Sequence, residues 1–170
     1  MALQNTKFGK EGFMCTFKNG SVGIYNFTKK NLEFLSQPNH SETIFDMAFN
    51  IKDKNILATA SYDGSIKIWQ INEMKCITNL HKPDLNVTQR ETFKQNVIYG
   101  IAWSPKESNR IVSVNSNGEV TLWDTEKGKL LSEIQPGSSS AIYRVDWNTL
   151  DPTLIATGSS DSQWYGSEKK

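Results

Sequence analysis

Apolar residues in this chain come in short runs, and turn residues separate the runs. The clearest pair is Ile56–Ala60 and Ile66–Ile71, joined across Asp63-Gly64. A β-branched apolar run, an Asp-Gly step and a second such run predict a β-hairpin. The glycine supplies a positive φ, and the Asp side chain can bond the turn backbone. The same reading predicts strands over 13–18, 21–27 and 31–36, then 44–50, 56–62, 65–71 and 74–80. It continues with 97–103, 110–116, 119–124 and 129–135, and begins again at Ala141. Polar alternation within the runs is weak: Ile56, Leu57 and Ala58 are consecutively apolar, as are Ile44 and Phe45. That is the pattern of sheets covered on both faces.

These units recur in one register. Asn19-Gly20, Asp63-Gly64 and Asn117-Gly118 are turn dipeptides of one chemical type, each followed five residues after the glycine by Tyr25, Trp69 or Trp123. The glycines are spaced by 64 − 20 = 44 and 118 − 64 = 54 residues. IFDMAFN at 44–50, IYGIAWS at 98–104 and IYRVDWN at 142–148 form a second series. ILATASYD at 56–63, IVSVNSNG at 111–118 and LIATGSSD at 154–161 form a third. A period near 44 built only from strand-like pieces predicts an all-β propeller blade. The chain then divides into a tail or linker at 1–11, a partial blade at 12–36, blades at 40–80 and 97–135, and a partial blade at 141–161. No third strand is expected in SQWYGSEKK, so 162–170 reads as a frayed or non-native end. About three blades and part of a fourth are fewer than a closed ring needs. The expectation is a fragment, a truncated product, or a sector completed by another chain.

The interruption of the period falls at 81–96, HKPDLNVTQRETFKQN, where Phe93 is the one aromatic. A polar connection on a rigid scaffold is a candidate recognition loop.

Composition narrows the function. Nineteen basic and 18 acidic residues give a net charge of +1, which holds no polyanion, so nucleic acid is not the expected partner. No N-terminal signal pattern and no membrane-length apolar run are present, so no membrane partner and a cytoplasmic location are expected. Cys15 and Cys76 have no metal-ligand or redox spacing and read as buried thiols. Cys76 and His81 do not make a zinc site, no phosphate loop occurs, and the carboxylates Glu42, Asp46, Asp146 and Asp151 are scattered across blades. Catalytic, metal and cofactor residues are therefore all expected to be none.

The chain resembles the WD40 repeat family, through Asp63-Gly64…Trp69 and Asn117-Gly118…Trp123-Asp124, the last two residues being the literal Trp-Asp dipeptide. The resemblance covers roughly 12–161. It implies a partial WD40 β-propeller and, in the second blade, a structural hydrogen-bond tetrad of His40, Ser61, Asp63 and Trp69. In that arrangement Asp63 orients His40, His40 bonds Ser61, and Ser61 bonds the Trp69 indole. Its physical role is to satisfy buried polar groups that would otherwise cost about 1–3 kcal/mol each. Ser, His and Asp in one blade are thus read as structural, not as a triad: no nucleophile elbow surrounds Ser61. The third blade, with Asn115 and Asn117 in the places of Ser61 and Asp63, would have an incomplete set.

Inner strands of a propeller line its channel. Asp46, Gly100 and Arg144 hold equivalent positions there, with Phe45, Tyr99 and Tyr143 just before them. Aromatics and Arg are what binding hot spots use. The candidate partner contacts are therefore Phe45, Asp46, Tyr99, Tyr143, Arg144 and Phe93. The resemblance implies a non-catalytic protein-interaction scaffold within a larger assembly, with a cytoskeletal or ciliary one as a possible setting. A propeller that reads a peptide or a modification at the channel mouth is the alternative. Partners are other proteins, or another chain that completes the propeller.

Overall fold

The computed structural model describes residues 12–34, 39–82, 96–137 and 139–161, with backbone alone for 164–168. They form four antiparallel sheets. The first contains β1 (Gly12–Thr16), β2 (Val22–Asn26) and β3 (Asn31–Phe34). The second contains β4 (Ile44–Phe49), β5 (Ile56–Ser61), β6 (Ile66–Gln70) and β7 (Lys75–Leu80), with a 3-10 turn at Ile71–Glu73. The third contains β8 (Ile98–Trp103), β9 (Arg110–Asn115), β10 (Val120–Asp124) and β11 (Lys129–Ile134). The fourth contains β12 (Ile142–Trp147), β13 (Leu154–Ser159) and β14 (Trp164–Glu168). Each sheet is a simple meander, so every pairing is local in sequence.

One expectation fails here. Residues 164–168 are not a frayed end: β14 pairs antiparallel with β13, with Gly158 opposite Trp164 and Leu154 opposite Glu168. The glycine missing at Ser162 weakened the turn signal, but Trp164 and Tyr165 are strong strand formers. Their register matches that of β6 on β5, where Ala60 lies opposite Ile66.

The turns also differ in detail from a tight Asp-Gly hairpin. Gly20, Gly64 and Gly118 have φ of 80°, 81° and 77°, but the residue before each has a negative φ. The Gly64 amide donates to the Ser61 carbonyl at 3.2 Å, and the Ser61 amide to the Ser65 carbonyl at 3.2 Å. This is a longer loop with a single left-handed glycine, not a two-residue turn with two left-handed positions. The Asp63 carboxylate closes it by accepting from the Ser65 amide at 2.9 Å.

The core lies between sheets, as expected for blades whose two faces are both covered. Met14, Val22 and Ile24 of the first sheet pack with Ile44, Phe49, Leu57 and Trp69 of the second. Ile66, Ile68 and Leu80 pack with Ile98, Ile101, Trp103 and Trp123 across the next seam. Val112, Val114 and Val120 meet Ile142, Val145 and Trp147 across the last. Polar bonds pin the middle seam as well. The Trp103 indole donates to the Ala48 carbonyl at 2.9 Å, and the Asn50 amide group to the Ser108 carbonyl at 2.7 Å. At the last seam the equivalent Trp147 indole turns instead to the Pro152 carbonyl at 2.8 Å. A cleft of about 420 Å³ opens there, lined by Arg110, Leu122, Trp147 and Pro152 among others.

Candidate functional site

The second blade contains a buried relay, but its central hydroxyl is Thr59, not Ser61. His40 Nδ1 lies 3.0 Å from Asp63, and His40 Nε2 lies 2.8 Å from Thr59 Oγ1. The Trp69 indole donates to that same Thr59 oxygen at 2.9 Å. Ser61 instead donates to the Glu42 carbonyl at 3.2 Å and accepts from the Asp63 amide at 3.1 Å. Strand geometry explains the correction. Trp69 lies opposite Leu57, and each residue along a strand advances about 3.3 Å. Thr59 is one diagonal step away, within reach of an indole, whereas Ser61 is twice as far.

A consistent proton assignment places one proton on His40 Nδ1, facing Asp63. Nε2 then accepts from the Thr59 hydroxyl, whose oxygen accepts from Trp69. Ser65 joins as well, donating to Asp63. Burial pushes the Asp63 carboxyl upward, but the bonds from His40 and Ser65 outweigh it and hold it well below the usual carboxylate range. Every polar group in the relay is engaged within the blade, which makes it a structural device.

The third blade keeps half of this device. Trp123 donates to Ser113 at 2.8 Å, with the same ten-residue offset as Trp69 to Thr59. No histidine follows. Asn115 Oδ1 accepts from the amides of Asn117 and Glu119, both at 3.0 Å. The Glu119 carboxylate pairs with Lys82, which also pairs with Glu133. Lys82 thus ties the start of the 81–96 connection to this blade, which the sequence did not reveal. The literal Trp-Asp residue Asp124 accepts from the Lys127 amide at 2.9 Å and pairs with Arg110. Those partners, the Lys127 amide first, lower its carboxyl below the ordinary value. In the first blade, Cys15 and Tyr25 stand where Thr59 and Trp69 stand, so hydroxyl and indole are absent together.

The inner strands build a second arrangement, this one open. Ile44 lies opposite Ser61 and Asp46 opposite Ala60, so Phe45 is the extra residue of a β-bulge. Tyr99 and Tyr143 are the extra residues of the same bulge in β8 and β12. A bulge redirects its side chain out of the ladder, and here three of them make a row. The Phe45 and Tyr99 ring centroids are 5.2 Å apart, and those of Tyr99 and Tyr143 are 4.9 Å apart. Tyr62, from the loop after β5, extends the row at 6.3 Å from Phe45. Phe45, Tyr62 and Tyr143 are 43%, 38% and 49% exposed. Burial, and next the neighbouring tyrosines, push the Tyr99 hydroxyl up, so it stays protonated.

Beside this row, Asp46, Gly100 and Arg144 are joined. Asp46 accepts from the Met47 amide at 2.9 Å and, across the seam, from the Ile101 amide at 3.0 Å. It reaches past Gly100 to Arg144 at 3.3 Å. A side chain at Gly100 would sit 3.1 Å from the Tyr143 carbonyl and 3.4 Å from the Arg144 Cα. Of the candidate contacts, the structure thus brings Phe45, Asp46, Tyr99, Tyr143 and Arg144 together, and Phe93 lies outside the described residues. Tyr62 was missed; its place directly before Asp63-Gly64 is the signal that could have found it. Among the described residues no three metal-ligating side chains converge, and no helix is long and apolar enough to cross a membrane.

Blades that meet along their inner strands, with turns gathered at one end, define a β-propeller sector. Comparison with known proteins agrees. Residues 32–70 match the model for the WD domain, G-beta repeat, and residues 84–150 match that for the anaphase-promoting complex subunit 4 WD40 domain. These matches support placing the chain in the WD40 repeat family. Among its relatives, Protein SPA1-RELATED 4 of Arabidopsis thaliana is 27% identical over 88% of this chain and 19% of its own length. The peroxisomal targeting signal 2 receptor of Saccharomyces cerevisiae is 23% identical over 85% of this chain and 43% of its own. The GATOR2 complex protein WDR59 of Gallus gallus is 24% identical over 86% of this chain and 14% of its own. The chain thus spans less than half the length of each. The computationally designed Ika4 protein shares the fold with a TM-score of 0.71 at 18% identity, covering 95% of this chain and 88% of that one.

Proposed function

We propose that this chain is a non-catalytic protein-interaction scaffold, and that partners dock on the aromatic row at the mouth of the inner strands. The observation that carries this reading is the contact series Tyr62–Phe45–Tyr99–Tyr143, half-exposed on a rigid frame. Apolar rings held in the open beside charged groups are typical of recognition surfaces. The buried relay supports it from the other side, because its histidine, hydroxyls and carboxylate are consumed in holding the blade. The reading includes no cofactor and no nucleic-acid or membrane partner, in keeping with the charge balance.

A second surface belongs to the same proposal. Phe13, Tyr25 and Phe27 cluster on the first blade with centroids 5.3–5.8 Å apart, and Phe13 and Phe27 are 38% and 49% exposed. Another chain, or another segment of a longer one, completes the propeller there. Within the family we infer a nearer kinship with WD repeat-containing protein seventeen. It rests on LEFLSQPNHSETIFD and NILATASYDGSIKIWQIN, and it suggests a platform in a large cytoplasmic assembly, a cytoskeletal or ciliary one included. The alternative, a peptide-reading propeller, draws on the exposed Arg144.

Affinity capture from cell extract followed by mass spectrometry tests the docking reading. Wild type retains a defined set of proteins, and Tyr99→Ala with Tyr143→Ala loses it while the circular dichroism spectrum is unchanged. Retention of the same set by the double variant would overturn it.

A further inference from the structure

We infer that the aromatic row takes an acidic segment of its partner, one in which a carboxylate neighbours an aromatic or large aliphatic side chain. The inference rests on the docking reading above and adds the chemistry of what docks. The Asp46–Arg144 pair looks neutral, but its two halves are unequally available. Asp46 is only 18% exposed, and its oxygens already receive two backbone amides and the guanidinium. Arg144 is 72% exposed and touches Asp46 through one nitrogen at 3.3 Å. A guanidinium carries five N–H donors in a planar fork, so most of its donors face solvent. The pair therefore presents an incoming segment chiefly with donors.

The surrounding groups keep that bias. Tyr99 and Tyr143, which immediately precede Gly100 and Arg144 in sequence, contribute rings and no carboxylate. Asp63 faces the same end of the blade, but its charge is taken up by His40, Ser65 and the Ser41 amide. The rings give an apolar side chain a flat seat, and the Arg144 fork accepts a carboxylate in bidentate fashion. An extended segment places alternate side chains on one side, so an acid and a ring two residues apart can reach both features at once.

Fluorescence polarisation with three labelled, N-acetylated and C-amidated hexapeptides of the form X-Ser-Phe-Ser-X-Ser separates the possibilities, with X as Asp, Asn or Lys (the Asp-Phe, Asn-Phe and Lys-Phe peptides), so that X and Phe lie two residues apart on one side. The full chain is expected to bind the Asp-Phe peptide about tenfold more tightly than the Asn-Phe peptide, as one charge-assisted contact warrants. Arg144→Gln abolishes that preference, while Lys129→Gln, on the outer strand, leaves it. Asp46→Asn, with its fold checked by circular dichroism, strengthens Asp-Phe binding because it releases Arg144 from its only ion-pair partner among the described residues. Equal binding of all three peptides, or a preference for Lys-Phe, overturns the charge assignment. If Tyr99→Ala nevertheless abolishes that binding, the docking reading still stands. Absence of binding by every peptide overturns the inference, and the capture experiment then decides the docking reading independently.

Discussion

Thr59→Val removes one hydroxyl from the middle of the second blade and keeps the shape of the side chain. The hydroxyl is fully buried and has two partners, the Trp69 indole N–H at 2.9 Å and His40 Nε2 at 2.8 Å. Trp69 is also fully buried and His40 is 3% exposed, so neither can turn to water. The variant leaves one buried donor and one buried acceptor unpaired, at about 1–3 kcal/mol each. Coupling through the His40–Asp63 bond makes the loss larger than a single deletion, and about 3 kcal/mol is expected. Urea unfolding followed by tryptophan fluorescence measures it, with the slope against denaturant unchanged. Ser61→Ala is the companion, because Ser61 makes only backbone bonds at 3.1–3.2 Å; its loss is expected to be about 1 kcal/mol. A Thr59→Val loss below that of Ser61→Ala would refute the relay as drawn.

Two further outcomes follow from the same blade. Gly64→Ala puts a Cβ on a residue with φ of 81° and only 3.0 Å from the Asn96 carbonyl. It should cost about 1–2 kcal/mol from the backbone alone, read in the same unfolding assay. Asp63 is held below the usual carboxylate range when folded, so the folded chain binds its proton less readily than the unfolded one. Its contribution is complete above the unfolded value of about 3.9 and is lost as pH falls toward the depressed one. Asp63→Asn is therefore less stable near neutral pH but loses less on acidification from about pH 5 to 2, as urea midpoints across that range will show.

Much of this arrangement was legible in the chain because the information is local. Asp63-Gly64 and Asn117-Gly118 mark turns whatever surrounds them, and three inner-strand segments of like pattern announce the same element three times. What escaped depended on register or on a neighbouring strand. Thr59 and Ser61 are both hydroxyls on one face of one strand. Only the pairing of Leu57 with Trp69 decides which of them the indole meets. Strand β14 lay hidden because a single missing glycine broke the motif while the strand-forming Trp164 and Tyr165 remained. Lys82 was invisible for another reason: its partners Glu119 and Glu133 lie far along the chain and meet only when β10 and β11 pair. Asp46, Gly100 and Arg144 were legible as equivalent positions around one channel, but not as bonded to one another. The cross-seam bond from Ile101 to Asp46 turns them into one.

The account stands on the side-by-side placement of β4, β8 and β12, which alone sets the three bulge aromatics in a row. Nuclear Overhauser contacts between the rings, on chain with labelled Phe and Tyr, test it most directly. The account predicts cross-peaks from Phe45 to Tyr99 and from Tyr99 to Tyr143, whose centroids are 5.2 and 4.9 Å apart. Rings that see only their own strands, with neither cross-peak present, would contradict it.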